Sequence, residues 1–106
     1  IGNSGSFFKN PVINTHSFEK LLKQYPEIPH YIISNTEVKI PAGWLIEQCG
    51  FKGKRFGDAG VHEKQALVLV NYNNATGQEI YNLAQHIQET ILKKFNISLE
   101  IEVNVI

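Results

Sequence analysis

The clearest pattern in the chain is at its end, where Ile97, Leu99, Ile101, Val103 and Val105 alternate with Ser98, Glu100, Glu102 and Asn104. A period of two predicts a strand with one apolar and one polar face. Just upstream, Ile80, Leu83, Ala84, Ile87, Ile91 and Phe95 recur at helical spacing, which predicts a long helix with one buried stripe. Its ends are marked as well. Thr76 and Glu79 form a capping box, Lys93 and Lys94 suit the negative end of the helix dipole, and Asn96 suits a left-handed terminating position. Ala66 to Val70 is an unbroken apolar run, as in a strand covered on both faces, and the YNNATG stretch closes it.

The first half is less regular. GSFFKNP, residues 5 to 11, predicts a short buried strand that runs into a turn at Asn10-Pro11. Thr15 is placed to cap a helix whose apolar face is Phe18, Leu21, Leu22 and Tyr25, and Pro26 and Pro29 stop it. Tyr31 to Ile33 and Val38 to Ile40 predict short strands. Pro41 opens a second helix over Ala42 to Cys49, with Gly50 as its end. The stretch FKGKRFGDAGVHEKQ has three spaced glycines and no apolar period, and predicts a loop. Helices interleaved with strands, one of them half exposed, predict an α+β fold: a single small domain over residues 1–106, with a mainly antiparallel sheet and helices packed on one side.

Length and charge narrow the function classes. A chain of 106 residues buries about 65% of its unfolded surface, enough for one core without disulfides. Ten basic residues balance ten acidic ones, so neither a nucleic-acid partner nor a membrane surface is expected; Lys52, Lys54 and Arg55 form only a local patch. No apolar run reaches the roughly 20 residues of a membrane helix. The single cysteine, Cys49, suits a reducing compartment, and hence the cytoplasm. A first residue of Ile1 rather than methionine suggests part of a longer protein.

Few residues offer chemistry. The histidines His16, His30, His62 and His86 have no ligand spacing, so no metal is expected, and the loop glycines do not make a phosphate fingerprint. Ser6 and Lys9 have a serine-x-x-lysine spacing, but a strand places them on opposite faces and the companion motifs of acyl-enzyme chemistry are absent. Glu100 and Glu102 project from one side of the last strand. Alone, such a pair reads as a solvated, edge-protecting face, and it becomes a site only if other residues join it there.

Three stretches together carry a resemblance: GSFFKNP, IPAGWLIEQCGFKGKRFGDAGVHEKQALVLVN and FNISLEIEV. In this order they span nearly the whole chain, which resembles the C-terminal substrate-binding domain of the UDP-N-acetylenolpyruvoylglucosamine reductase (MurB) family. The resemblance implies a bacterial cytoplasmic flavoenzyme of peptidoglycan precursor synthesis, in which NADPH reduces FAD and hydride passes to the enolpyruvyl double bond of UDP-N-acetylglucosamine enolpyruvate. It implies Ser6 as proton donor and Glu102 as the second catalytic residue, with Asn10 and Gln65 as substrate contacts; Lys9, beside Asn10, is a candidate to attract the diphosphate by its charge. Where the family often has proline between the two glutamates, this chain has Ile101. The flavin-binding domain, which also supplies an arginine for the substrate carboxylate, would lie N-terminal to this segment. The fragment alone is therefore expected to bind no FAD and to be inactive. The alternative class is a non-catalytic module that binds a nucleotide sugar or a protein, for which Ser6 and Glu102 would have no reason to meet.

Overall fold

A computed structural model describes the backbone of residues 2–66, 68–71 and 74–102. In chain order the elements are β1 (Gly2–Ser6), β2 (Val12–Asn14), α1 (Thr15–Gln24), β3 (Tyr31–Ile32), β4 (Glu37–Lys39), α2 (Ala42–Gln48), β5 (Arg55–Phe56), β6 (Ala59–Val61), β7 (Val68–Asn71) and α3 (Gly77–Phe95). The α+β class read from the sequence holds. Among the described residues every strand pair is antiparallel, but there are two sheets, one ordered β1-β7-β6-β5 and the other β2-β4-β3. Pro11 marks the change between them. It has no N–H for a ladder, and its carbonyl instead accepts from Ile40 N–H at 2.9 Å, so the chain resumes as β2 beside β4.

Helix α3 forms as its pattern predicts. Thr76 and Glu79 complete the capping box, Asn96 sits in the left-handed region at φ 57°, and Leu83, Ala84, Ile87, Ile91 and Phe95 are buried. They join Leu45 and Ile46 of α2 and Ala59, Val61 and Leu69 of the larger sheet in one core. Burying a side chain such as Ile87 or Ile91 is worth about 1.5–3 kcal/mol. Val68, Leu69 and Val70 are all buried, as a doubly covered strand requires; Leu67, within the same run, lies outside the described residues.

Four expectations are corrected. The cap of α1 is Asn14, whose side chain accepts from Ser17 N–H at 2.7 Å, while Thr15 is helical and its hydroxyl donates to Asn35 O. Leu22, assigned to the apolar face, is exposed. The supposed loop at 51–65 contains the β5–β6 hairpin, joined by Gly57 (φ 64°) and Asp58. It shows no period of two because Ala59, Gly60 and Val61 are all buried, on a strand packed against α3. The last strand also differs. Its burial alternates from Ile97 to Glu100 as predicted, yet Leu99 O accepts from the Gln88 side chain at 2.7 Å rather than from a neighbouring strand. Pairing starts only at Glu100; Val103, Asn104 and Val105 lie outside the described residues.

Candidate functional site at the GSFFKNP segment

The segment from Ser6 to Pro11 is a junction of four parts of the chain. Ser6 pairs with Val68 at the start of β7. One residue on, Phe7 O accepts from Glu102 N–H at 2.8 Å, Phe8 bridges Ile101, and Lys9 N–H donates to Glu100 O at 2.9 Å. Asn10 and Pro11 then bind α2 and β4. Two adjacent phenylalanines hold the junction. Phe8 is 1% exposed, Phe7 packs against the same core, and their rings meet edge to face at 5.4 Å between centroids.

Ser6 and Glu102, 96 positions apart in sequence, are thereby brought to adjoining backbone. The register sets Phe7 against Glu102 and leaves Ser6 one step out along the backbone. Phe7 and Phe8, although neighbours, both pack on the core.

Asn10 has a structural task that the sequence reading missed. Its Oδ1 accepts from Ala42 N–H at 2.9 Å. Pro41, the residue before α2, makes no side-chain cap of its own, so Asn10 caps that helix from 32 positions away. The Asn10 amide nitrogen remains a donor. Lys9 and Glu100 form an ion pair at 3.8 Å, both well exposed, and with Asn10, Pro11, Val12 and Ser98 they line a groove of about 290 Å³. Val12 lies opposite Lys39, and Lys39 opposite exposed Tyr31, which extends this rim across the smaller sheet. Ser98 stood in the sequence only as a polar position of the C-terminal alternation, and Lys39 carried no signal because a single polar residue in a short strand has no period.

Gln65 is exposed in the turn between β6 and β7. Its carbonyl accepts from Val68 N–H at 2.9 Å, which ties it to the residue that pairs with Ser6. Backbone bonds thus join Glu102 to the segment that follows Ser6 and carries Lys9, Asn10 reaches α2 through its side chain, and Gln65 is tied to Val68, the partner of Ser6. Larger grooves lie elsewhere, between α1 and the end of α3 and beside Tyr25 and Trp44, and none of these residues lines them.

Among the described residues there is no glycine-rich turn between a strand and a helix of the kind that cradles a dinucleotide. The glycines with positive φ, Gly50, Gly53 and Gly57, lie after α2 and around the β5–β6 hairpin, not between a strand and a helix. The N-terminus of α3 is already taken by the Glu79 carboxylate, where an incoming phosphate would be repelled. Among the described residues no group of three His, Cys, Asp or Glu is placed to hold a metal, and no helix is long and apolar enough to cross a membrane. The basic patch is largely neutralised, since Lys52 pairs with Glu47 and Arg55 with Asp58.

Comparison with known proteins agrees with the motifs. Residues 1–106 match the family described as UDP-N-acetylenolpyruvoylglucosamine reductase, C-terminal domain. Proteins named UDP-N-acetylenolpyruvoylglucosamine reductase from Flavobacterium johnsoniae, Porphyromonas gingivalis and Chromobacterium violaceum are similar: 64% identical over 106 residues, 54% over 106 and 52% over 102. The alignments cover 100%, 100% and 96% of this chain but only 32%, 31% and 30% of those proteins. The chain thus spans about a third of the length of the curated relatives it matches, and it belongs to the C-terminal domain family of UDP-N-acetylenolpyruvoylglucosamine reductase.

Proposed function

We propose that this chain is the substrate-binding and proton-delivering part of a bacterial, cytoplasmic UDP-N-acetylmuramate dehydrogenase, which reduces the enolpyruvyl group of UDP-N-acetylglucosamine enolpyruvate for peptidoglycan synthesis. The observation that supports the reading is the Glu102 N–H to Phe7 O bond, which ties the backbone of Glu102 to the residue next to Ser6; a mere binding module has no need of that arrangement. FAD held by the remainder of the protein and reduced by NADPH would supply the hydride.

Each group of this chain then has a task. Hydride adds to the terminal carbon of the double bond, and the electron pair moves onto the carbon that bears the carboxylate. The Ser6 hydroxyl protonates that carbon and regains its proton from solvent, while Glu102 assists the enol-like intermediate. Asn10, through its amide nitrogen, and Gln65 hold the polar nucleotide sugar, and Lys9 faces the diphosphate in exchange for its loose pair with Glu100. The rigid Phe7-Phe8 packing supports this by limiting where the junction can move.

The test is single turnover in the full-length protein. Enzyme reduced by NADPH is mixed with UDP-N-acetylglucosamine enolpyruvate, and flavin reoxidation is followed for wild type and Ser6→Ala. The expected result is fast reoxidation in wild type and a slowing of about 10²-fold or more in the variant, with reduction by NADPH unchanged. Equal rates would make Ser6 a packing residue and sink the mechanism. No reoxidation in wild type would favour the binding-module class.

A further inference from the structure

The turn between β6 and β7 is built around an imidazole. His62 Nδ1 accepts from the backbone N–H groups of Lys64 at 3.0 Å and Gln65 at 3.2 Å. The turn also closes on itself, because His62 N–H donates to Val68 O and Val68 N–H donates to Gln65 O, both at 2.9 Å. Capture of turn N–H groups by a side chain is usually left to the short acceptors Asn, Asp, Ser and Thr. A ring nitrogen serves only if it carries a lone pair, so His62 holds its hydrogen on Nε2.

Gln65 depends on this arrangement. Its side chain is exposed and makes no hydrogen bond among the described residues, so its direction is set by its backbone. That backbone is fixed by two bonds, its N–H donating to the His62 ring and its carbonyl accepting from Val68 N–H. The same turn leads into Val68, the partner of Ser6.

We infer that His62 is a positioning residue for substrate binding, its Nδ1 holding the Gln65 backbone so that the Gln65 amide is presented to the nucleotide sugar. This rests on the reading of Gln65 as a substrate contact. The imidazole itself touches no reacting atom. It acts through Gln65, and its removal affects binding before chemistry.

The experiment is steady-state kinetics on the full-length protein for Gln65→Ala, His62→Ala, the double variant and His62→Asn, whose Oδ1 is the nearest substitute for Nδ1. His62→Ala is expected to raise KM for UDP-N-acetylglucosamine enolpyruvate about tenfold and to leave kcat within about twofold. The double variant is expected to be no worse than Gln65→Ala, and His62→Asn to recover most of the loss even where His62→Ala folds poorly. A raised KM in Gln65→Ala with a normal one in His62→Ala and His62→Asn overturns the positioning role alone. So do additive effects in the double variant. A normal KM in Gln65→Ala removes Gln65 from the site, and takes both readings with it.

Discussion

Asn10 is the residue where structure and proposed function compete for one side chain, and two substitutions separate them. Helix α2 has only seven residues and starts after a proline, so it cannot cap itself, and the Ala42 N–H depends on Asn10 Oδ1 at 2.9 Å in a partly buried setting. Replacing such a cap by alanine costs about 1 kcal/mol, which corresponds to roughly fivefold in an opening equilibrium. Amide hydrogen exchange in the full-length protein, read on peptides covering α2, should therefore quicken about fivefold in Asn10→Ala. Asn10→Asp keeps an oxygen acceptor and adds negative charge where a helix N-terminus favours it, so exchange in α2 should stay at or below the wild-type rate. Substrate affinity should behave otherwise. The aspartate has no N–H to give and repels a diphosphate, so KM should rise in Asn10→Asp although the helix is intact. If α2 exchange is unchanged in Asn10→Ala, the cap contributes nothing and the argument from geometry is wrong. If Asn10→Asp binds substrate normally, Asn10 is a helix cap only.

Other outcomes follow from single features. Asn96 holds φ 57° at the end of α3, so Asn96→Ala should lower stability by about 1 kcal/mol and Asn96→Gly should cost little or nothing; chemical denaturation of both variants checks this, and equal stabilities would refute it. Burial pushes the Cys49 thiol up, and the nearby Lys94 cation pulls it down. Iodoacetamide should thus modify Cys49 more slowly than free cysteine at pH 8, faster as pH rises, and more slowly still in Lys94→Gln. A faster reaction in Lys94→Gln would contradict the assigned cause.

Much of the helical structure was legible in the sequence, because a helix depends on neighbours three and four positions apart and on local caps. The stripe and both ends of α3 could be read residue by residue. The doubly covered run at β7 was legible for a similar reason, since burial on both faces leaves an unbroken apolar string. The β5–β6 hairpin was hidden: Ala59, Gly60 and Val61 are buried in succession, so no alternation marks the strand, and its burial depends in part on α3, a helix that starts almost twenty residues away. Asn10 shows the same limit, as its partner Ala42 is chosen by how the chain turns at Pro11. The C-terminal pattern was read correctly in its faces from Ile97 to Glu100 but not as a paired strand there, for period tells which side is buried and Gln88 takes the Leu99 carbonyl.

For the candidate site the division is sharper. Sequence alone supplied the residue types, Ser6 in GSFFKNP and Glu102 in the final alternating run, together with the family they resemble. Only the tertiary structure brought the two ends of the chain to the same backbone at Phe7, put Gln65 in a turn held by His62, and assigned the oxygen of Asn10 to a helix. Spacing along a chain reports local geometry. Approach across sheets is decided by which hydrogen bonds and apolar faces are satisfied together.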